Sequence, residues 1–120
     1  MSLRYFDTSE FDCPIAGQGD KMDKNFLELL DEARHLASTP FRITSGYRCP
    51  EHNKNVGGVP GSSHTKFVAC DISCEDSARR FLIVSSLIKA GITRVGISPD
   101  FIHCDMDFDK PQKLIWTYKK

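Results

Sequence analysis

Residues 44–71 read TSGYRCPEHNKNVGGVPGSSHTKFVACD, and where this stretch leaves and re-enters regular structure decides the fold. It leaves a short apolar run, Phe41–Ser45 (FRITS), in which Phe41 and Ile43 share one face of a strand. It re-enters another, Val68–Ser73 (VACDIS), which alternates. Between them Pro50, Gly57, Gly58, Pro60 and Gly61 interrupt any regular element, so 46–63 is a loop with a single helical turn over Pro50–Asn55. Loops of this length inside compact domains are usually functional or disordered. This one closes on His64, and Asp71 follows seven residues later.

Strand parity then sorts the chemistry. In VACDIS, Val68, Cys70 and Ile72 point one way, and Ala69, Asp71 and Ser73 the other. A second run, Phe101–Phe108 (FIHCDMDF), puts Ile102, Cys104 and Met106 toward a core, with His103, Asp105 and Asp107 on the opposite face. Taken singly, each polar residue is an ordinary surface group. If the two strands are neighbours, Asp71 and His103 come within ligand distance, and the loop ending at His64 completes a triad. Two imidazoles and a carboxylate are ligands zinc accepts, and three protein ligands leave one coordination position for water, as catalytic zinc sites do.

Outward from that centre, Asp23 caps a helix running to about Ser38, with Phe26, Leu29, Leu30, Ala33 and Leu36 at helical spacing. Asp76 caps a second helix through Ala90, with Phe81, Val84, Leu87 and Ile88 as its apolar face and Gly91 as its stop. Arg94–Ser98 is a third strand, Phe101–Phe108 a fourth and Leu114–Tyr118 a closing strand. Residues 4–21 are irregular, with Phe6 and Phe11 packing onto the domain. The expectation is an α+β domain over 1–120: two main helices against a mainly antiparallel sheet of four to five short strands.

The totals exclude several classes. The chain has 120 residues, 16 basic and 16 acidic, and so lacks the cationic excess of a nucleic-acid binder. No apolar run approaches the roughly 20 residues of a membrane span. The N-terminus has no apolar core of a secretory signal, which gives synthesis in the cytoplasm as the expected location. No surface helix advertises a protein partner. Five cysteines, Cys13, Cys49, Cys70, Cys74 and Cys104, are an odd number without CxxC spacing. Reduced thiols are expected, with a pairing of Cys13 to Cys49 or Cys74 left open. A thiol enzyme built on Cys70 or Cys104 beside His103 is disfavoured, because both sulfurs fall on the core side of their strands.

The segments SGYRCPEHNKNVGGVPGSSHTKFVACDIS and DFIHCDMD resemble the D-alanyl-D-alanine carboxypeptidase family of zinc peptidases, peptidase family M15, which includes phage endolysins. The likeness runs from FDCP near the start through FRITSGYR to the histidine strand. It implies a Hedgehog/DD-peptidase-like fold and a zinc peptidase with one Zn2+ per chain, acting on peptidoglycan stem or cross-bridge peptides. His64, Asp71 and His103 match the metal ligands. Asp100, three residues before His103, matches an acidic general base, and Arg48 the arginine that holds the substrate carbonyl. Ser62 is a substrate or ligand-supporting group, and Asp105 a carboxylate that orients a ligand. Arg48 as a surface salt bridge and Asp105 as an exposed strand residue are the plain alternatives. The chain departs from many relatives at Phe67, where they carry glycine, and a phenylalanine there is expected to narrow the cleft or change which peptide enters. The rival reading is a non-catalytic zinc-binding wall or virion module. Phage lysis or incorporation in a virion are the expected routes to the wall.

Overall fold

The computed structural model describes residues 3–118. Helix α1 spans Lys24–Ala37 and starts where Asp23 accepts the Phe26 N–H at 2.9 Å. Its inner stripe, Phe26, Leu27, Leu30, Ala33 and Ala37, is buried. Helix α2 is the short Pro50–Asn55 turn in the long loop, and α3 spans Ser77–Ala90, capped by Asp76 and ended by Gly91 in the left-handed region. Three 3-10 turns, Thr8–Phe11, Gly19–Lys21 and Ser63–Lys66, occupy stretches that read as irregular from the sequence.

Five strands, β1 (Ile43–Ser45), β2 (Ala69–Ser73), β3 (Arg94–Ile97), β4 (Phe101–Asp105) and β5 (Leu114–Thr117), form one sheet in the order β1-β2-β4-β3-β5. All pairings are antiparallel except β3 with β5, which is parallel, so the sheet is mixed. The β4 ladder stops at Asp105 instead of reaching Phe108, because the chain then turns to return beside β3. Helices α1 and α3 pack on each other and cover the back of the sheet, where Cys70, Ile72, Val95, Ile102 and Cys104 are buried with Phe11, Phe26, Phe41 and Leu87.

One expected face is corrected. In α3 the buried side chains are Ile83, Ser86 and Leu87, while Phe81 is 72% exposed and Ile88 48%. Contact with α1 fixes which side of α3 turns inward. Phe81 and Ile88, seven residues apart, share the side that runs along Ile97 at the sheet margin, open to solvent. Leu36 of α1 is likewise exposed.

The front of the sheet faces away from α1 and α3. The register sets Ser45 opposite Asp71, Asp71 opposite His103, His103 opposite Gly96, and Gly96 beside Trp116. Residues level across a sheet point to the same face, so one row of five positions crosses all five strands. The site stands on that row.

Candidate metal centre

His64, Asp71 and His103 each present one donor atom within 4.8 Å of the other two, and all three residues are buried. Asp71 and His103 meet because β2 and β4 pair in register, with His103 Nδ1 3.0 Å from Asp71 Oδ1. His64 arrives from the side on the Ser63–Lys66 turn, whose start Ser62 caps by accepting the His64 N–H. That turn is tied to the loop after β1, since the Arg48 N–H donates to the His64 carbonyl at 3.1 Å. Gly46 comes so close to Phe11 that an added Cβ would lie 2.5 Å from the Phe11 Cα, which holds the Gly46 carbonyl where His64 needs it.

The hydrogen bonds around the imidazoles decide which nitrogen faces inward. His64 Nδ1 lies 2.8 Å from the Gly46 carbonyl, which can only accept, so Nδ1 carries the proton and Nε2 a lone pair. That Nε2 is buried and has no hydrogen-bond partner; Asp71 Oδ1 is 3.3 Å away but off the line of a bond. A buried, unpartnered acceptor beside a carboxylate is a costly arrangement unless a cation occupies it. His103 Nε2 donates to Asp105 Oδ2 at 2.7 Å, which leaves Nδ1 for the inward direction. Asp105, fully buried, also accepts from Arg94 Nε at 2.7 Å and from the Asp107 N–H at 3.0 Å. A ligand histidine whose outer nitrogen is held by a carboxylate is the arrangement that fixes its tautomer and ring orientation. The donor set fits zinc: two neutral imidazoles, one carboxylate and an open side.

Without a cation the cluster holds a proton instead. Burial opposes the charge on His103, but Asp105 and Asp71 on either side push its pKa up to about 9. Burial likewise opposes the charge on Asp71, yet the His103 and His64 rings hold it well below the usual carboxylate range. Asp105 is lowered too, against burial, by His103, the Asp107 N–H and Arg94.

The Peptidase M15 family model matches residues 4–105. The chain belongs to the peptidase M15 family. Among curated proteins none matches it. The M15 family is one of zinc-dependent peptidases, in accord with the donor set just described.

The other expected site residues divide. Arg48 lines the cavity and is no surface bridge: Nε donates to Ser45 Oγ at 3.0 Å, Nη1 to Asn53 at 3.3 Å, and Nη2 reaches Asp71 Oδ2 at 3.4 Å. Ser62 also borders the cavity. Asp100 does not. It sits exposed on the turn between β3 and β4, bonded to the Ser98 hydroxyl at 3.3 Å. Phe101, His103 and Asp105 share the front face of β4, but Asp100 precedes the strand, on the bend where Ser98 holds its carboxylate. Phe67 stays out of the cleft as well. Its φ is +65°, a left-handed conformation that glycine adopts without steric cost, and its ring stacks on Tyr47 with centroids 4.0 Å apart.

Several residues around the cavity escaped the sequence reading. Beyond the matched segment, Trp116 and Tyr118 rise from β5 and wall one side of a cavity of about 330 Å³ that opens beside the triad. Trp116 lies over Gly96, where a Cβ would fall 2.7 Å from the indole nitrogen, and reaches both His103 and the Arg94 guanidinium. Asp107, buried, binds the Ser63 hydroxyl at 2.7 Å and Lys66 at 3.1 Å, locking the His64 turn to the end of β4. Burial resists its ionisation, but Ser63 and Lys66 bring its pKa down to about 2. Asp107 was legible only as a member of the polar face of its strand. The aromatic wall had no local signal.

Proposed function

We propose that this chain is a zinc metallopeptidase that hydrolyses peptidoglycan stem or cross-bridge peptides, as a D,D-carboxypeptidase or an endopeptidase. The observation that carries it is the unpartnered His64 Nε2, converging with Asp71 and His103 Nδ1 at the floor of an open cavity. His64, Asp71 and His103 would hold one Zn2+, which when bound lowers the pKa of water toward about 7 and polarises a carbonyl.

The remaining work falls to the chain's own groups. Asp105 and the Gly46 carbonyl keep each imidazole in the tautomer that aims its lone pair inward. Arg48, with one nitrogen on Asp71 and its side chain on the cavity, is placed to hold a substrate carbonyl oxygen and the charge that develops on it. Lys110 at the rim suits the carboxylates of wall peptides, while Phe101, Trp116 and Tyr118 cover apolar parts and exclude water from that side. A cavity of about 330 Å³ takes a few residues of peptide.

The position of Asp100 favours a second reading, a zinc-binding wall or virion module without turnover. Both readings require metal, and they part on chemistry. The test is zinc content of the purified chain by mass spectrometry, followed by digestion of purified peptidoglycan and chromatography of the released muropeptides. Stoichiometric zinc with new peptide ends supports the peptidase. Zinc without cleavage leaves the binding module, and a chain that neither holds nor takes up zinc ends both.

A further inference from the structure

Two of the five cysteines meet away from the metal cluster. Cys13 follows the Thr8–Phe11 turn and pairs with Gly17 through two backbone bonds of 2.9 and 2.8 Å, which folds the exposed residues Pro14–Ala16 into a thin cover above it. Cys49 stands between Arg48 and α2. Their sulfurs lie 3.4 Å apart, and both residues are buried. The backbone already joins the two segments, because the Tyr47 N–H donates to the Phe11 carbonyl at 2.9 Å and the Cys49 N–H to Cys13 Sγ at 3.4 Å. None of the contacts that build the metal centre involves either thiol.

We propose that Cys13 and Cys49 are a disulfide-forming pair, closed by exchange with a low-molecular-weight disulfide, that ties the N-terminal segment to the loop carrying Arg48. The Cys13 thiolate attacks one sulfur of the reagent and expels a thiolate; Cys49, deprotonated in turn, attacks Cys13 Sγ and expels the second. One reagent S–S bond breaks and one protein S–S bond forms. Two electrons pass to the reagent, which leaves as two thiols carrying the two protons.

The surroundings assign the order of attack. Burial opposes ionisation of Cys13, but the N–H groups of Cys49, Ala16 and Ile15 directed at its sulfur hold the thiol below its ordinary value. Only the short 14–16 cover has to move to admit the reagent. A second pair provides an internal contrast. Cys70 and Cys104 face each other across β2 and β4 with sulfurs 3.7 Å apart, yet both are wholly enclosed behind the sheet. That pair has the proximity without the access. Cys74 donates to the Asp76 carbonyl at 3.5 Å. The bond would brace the backbone on both sides of Arg48. It would form where the chain meets oxidising surroundings, as proteins acting outside the cytosol do.

This inference is independent of the proposed activity, and so is its test. The purified chain is equilibrated with excess glutathione disulfide, quenched in acid, unfolded, alkylated and digested. The expected result is a Cys13–Cys49 cross-linked peptide with Cys70, Cys74 and Cys104 all alkylated. Five alkylated cysteines, a link between any other pair or a link between chains would overturn it. In Cys49→Ser the same treatment should leave glutathione on Cys13, and an unmodified Cys13 there refutes it as the attacking thiol. The oxidised wild type should unfold at least about 5 °C above the reduced form, because the bond closes a long loop in the unfolded chain. Equal midpoints would show that the bond ties nothing.

Discussion

Replacing Asp105 with asparagine keeps the shape of a fully buried side chain and changes only what it can accept. The carboxylate now takes three donors: Arg94 Nε and His103 Nε2, each at 2.7 Å, and the Asp107 N–H at 3.0 Å. In Asp105→Asn one oxygen becomes an NH2 group, so either His103 or Arg94 must face a donor with a donor. If His103 gives way, its Nε2 proton is no longer fixed and the lone pair is no longer pinned at Nδ1. Loss of such an orienting carboxylate typically costs about 10–100-fold in metal affinity. The Arg94 cation also loses a buried counter-charge, which costs about 3–5 kcal/mol when nothing compensates. Here Arg94 keeps the Pro111 carbonyl and the Trp116 ring, so the lower end applies and the variant should still fold. Zinc affinity is read by competition with a chromophoric chelator, and stability by urea unfolding of the metal-free form. A variant that loses stability but binds zinc as tightly as wild type would refute the orienting role and leave Asp105 as a prop for Arg94.

Phe67 offers a test in which two small substitutions should differ in an unusual order. Phe67→Ala and Phe67→Gly both lose the Tyr47 stack, but only glycine removes the left-handed strain at φ +65°, so the glycine variant should be more stable by about 1 kcal/mol in urea unfolding. Alanine as the better residue would refute the strain argument. Asp100→Ala should leave zinc affinity and any turnover unchanged, since the side chain bonds only Ser98 on an exposed turn; retained metal with lost turnover would restore Asp100 as the base. The metal-free chain should lose stability on the alkaline side. His103 is raised from the ordinary histidine value of about 6.5 to about 9, so its contribution is complete below about pH 6.5 and is lost as pH rises through 9, a change on the order of 3 kcal/mol. Zinc uptake must displace that proton, so apparent affinity should rise over the same interval. Unfolding curves in chelator at pH 6 and 9 that superimpose would show that the proton is not held as described.

What the sequence disclosed followed from parity and from caps. Alternation in 68–73 and 101–108 put Asp71, His103 and Asp105 on one face before any pairing was known, and the single added assumption of adjacent strands sufficed to bring Asp71 to His103. Asp23 and Asp76 announced their helices, because an N-cap is a local event. Asp100 lies on the bend before β4, where strand parity gives no rule, and only the likeness to relatives nominated it.

What stayed hidden depends on pairings that no local pattern encodes. Trp116 reaches His103 only because β5 runs parallel to β3 on its far side and Gly96 leaves the space between them empty. Neither the skipped neighbour in the strand order nor the direction of β5 leaves a mark on residues 114–117. The family match stops at Asp105, so the segment that follows, with the Asp107 lock and the aromatic wall, is supported by the structure alone. Thus the candidate ligands His64, Asp71 and His103, and Asp105 beside them, lie within the matched segment, while Trp116 and Tyr118, which wall the cavity, lie beyond it. A change within residues 107–118 would therefore reach the candidate metal centre as well as the cavity, because Asp107 holds Ser63, the Pro111 carbonyl holds Arg94 and Trp116 lies against His103.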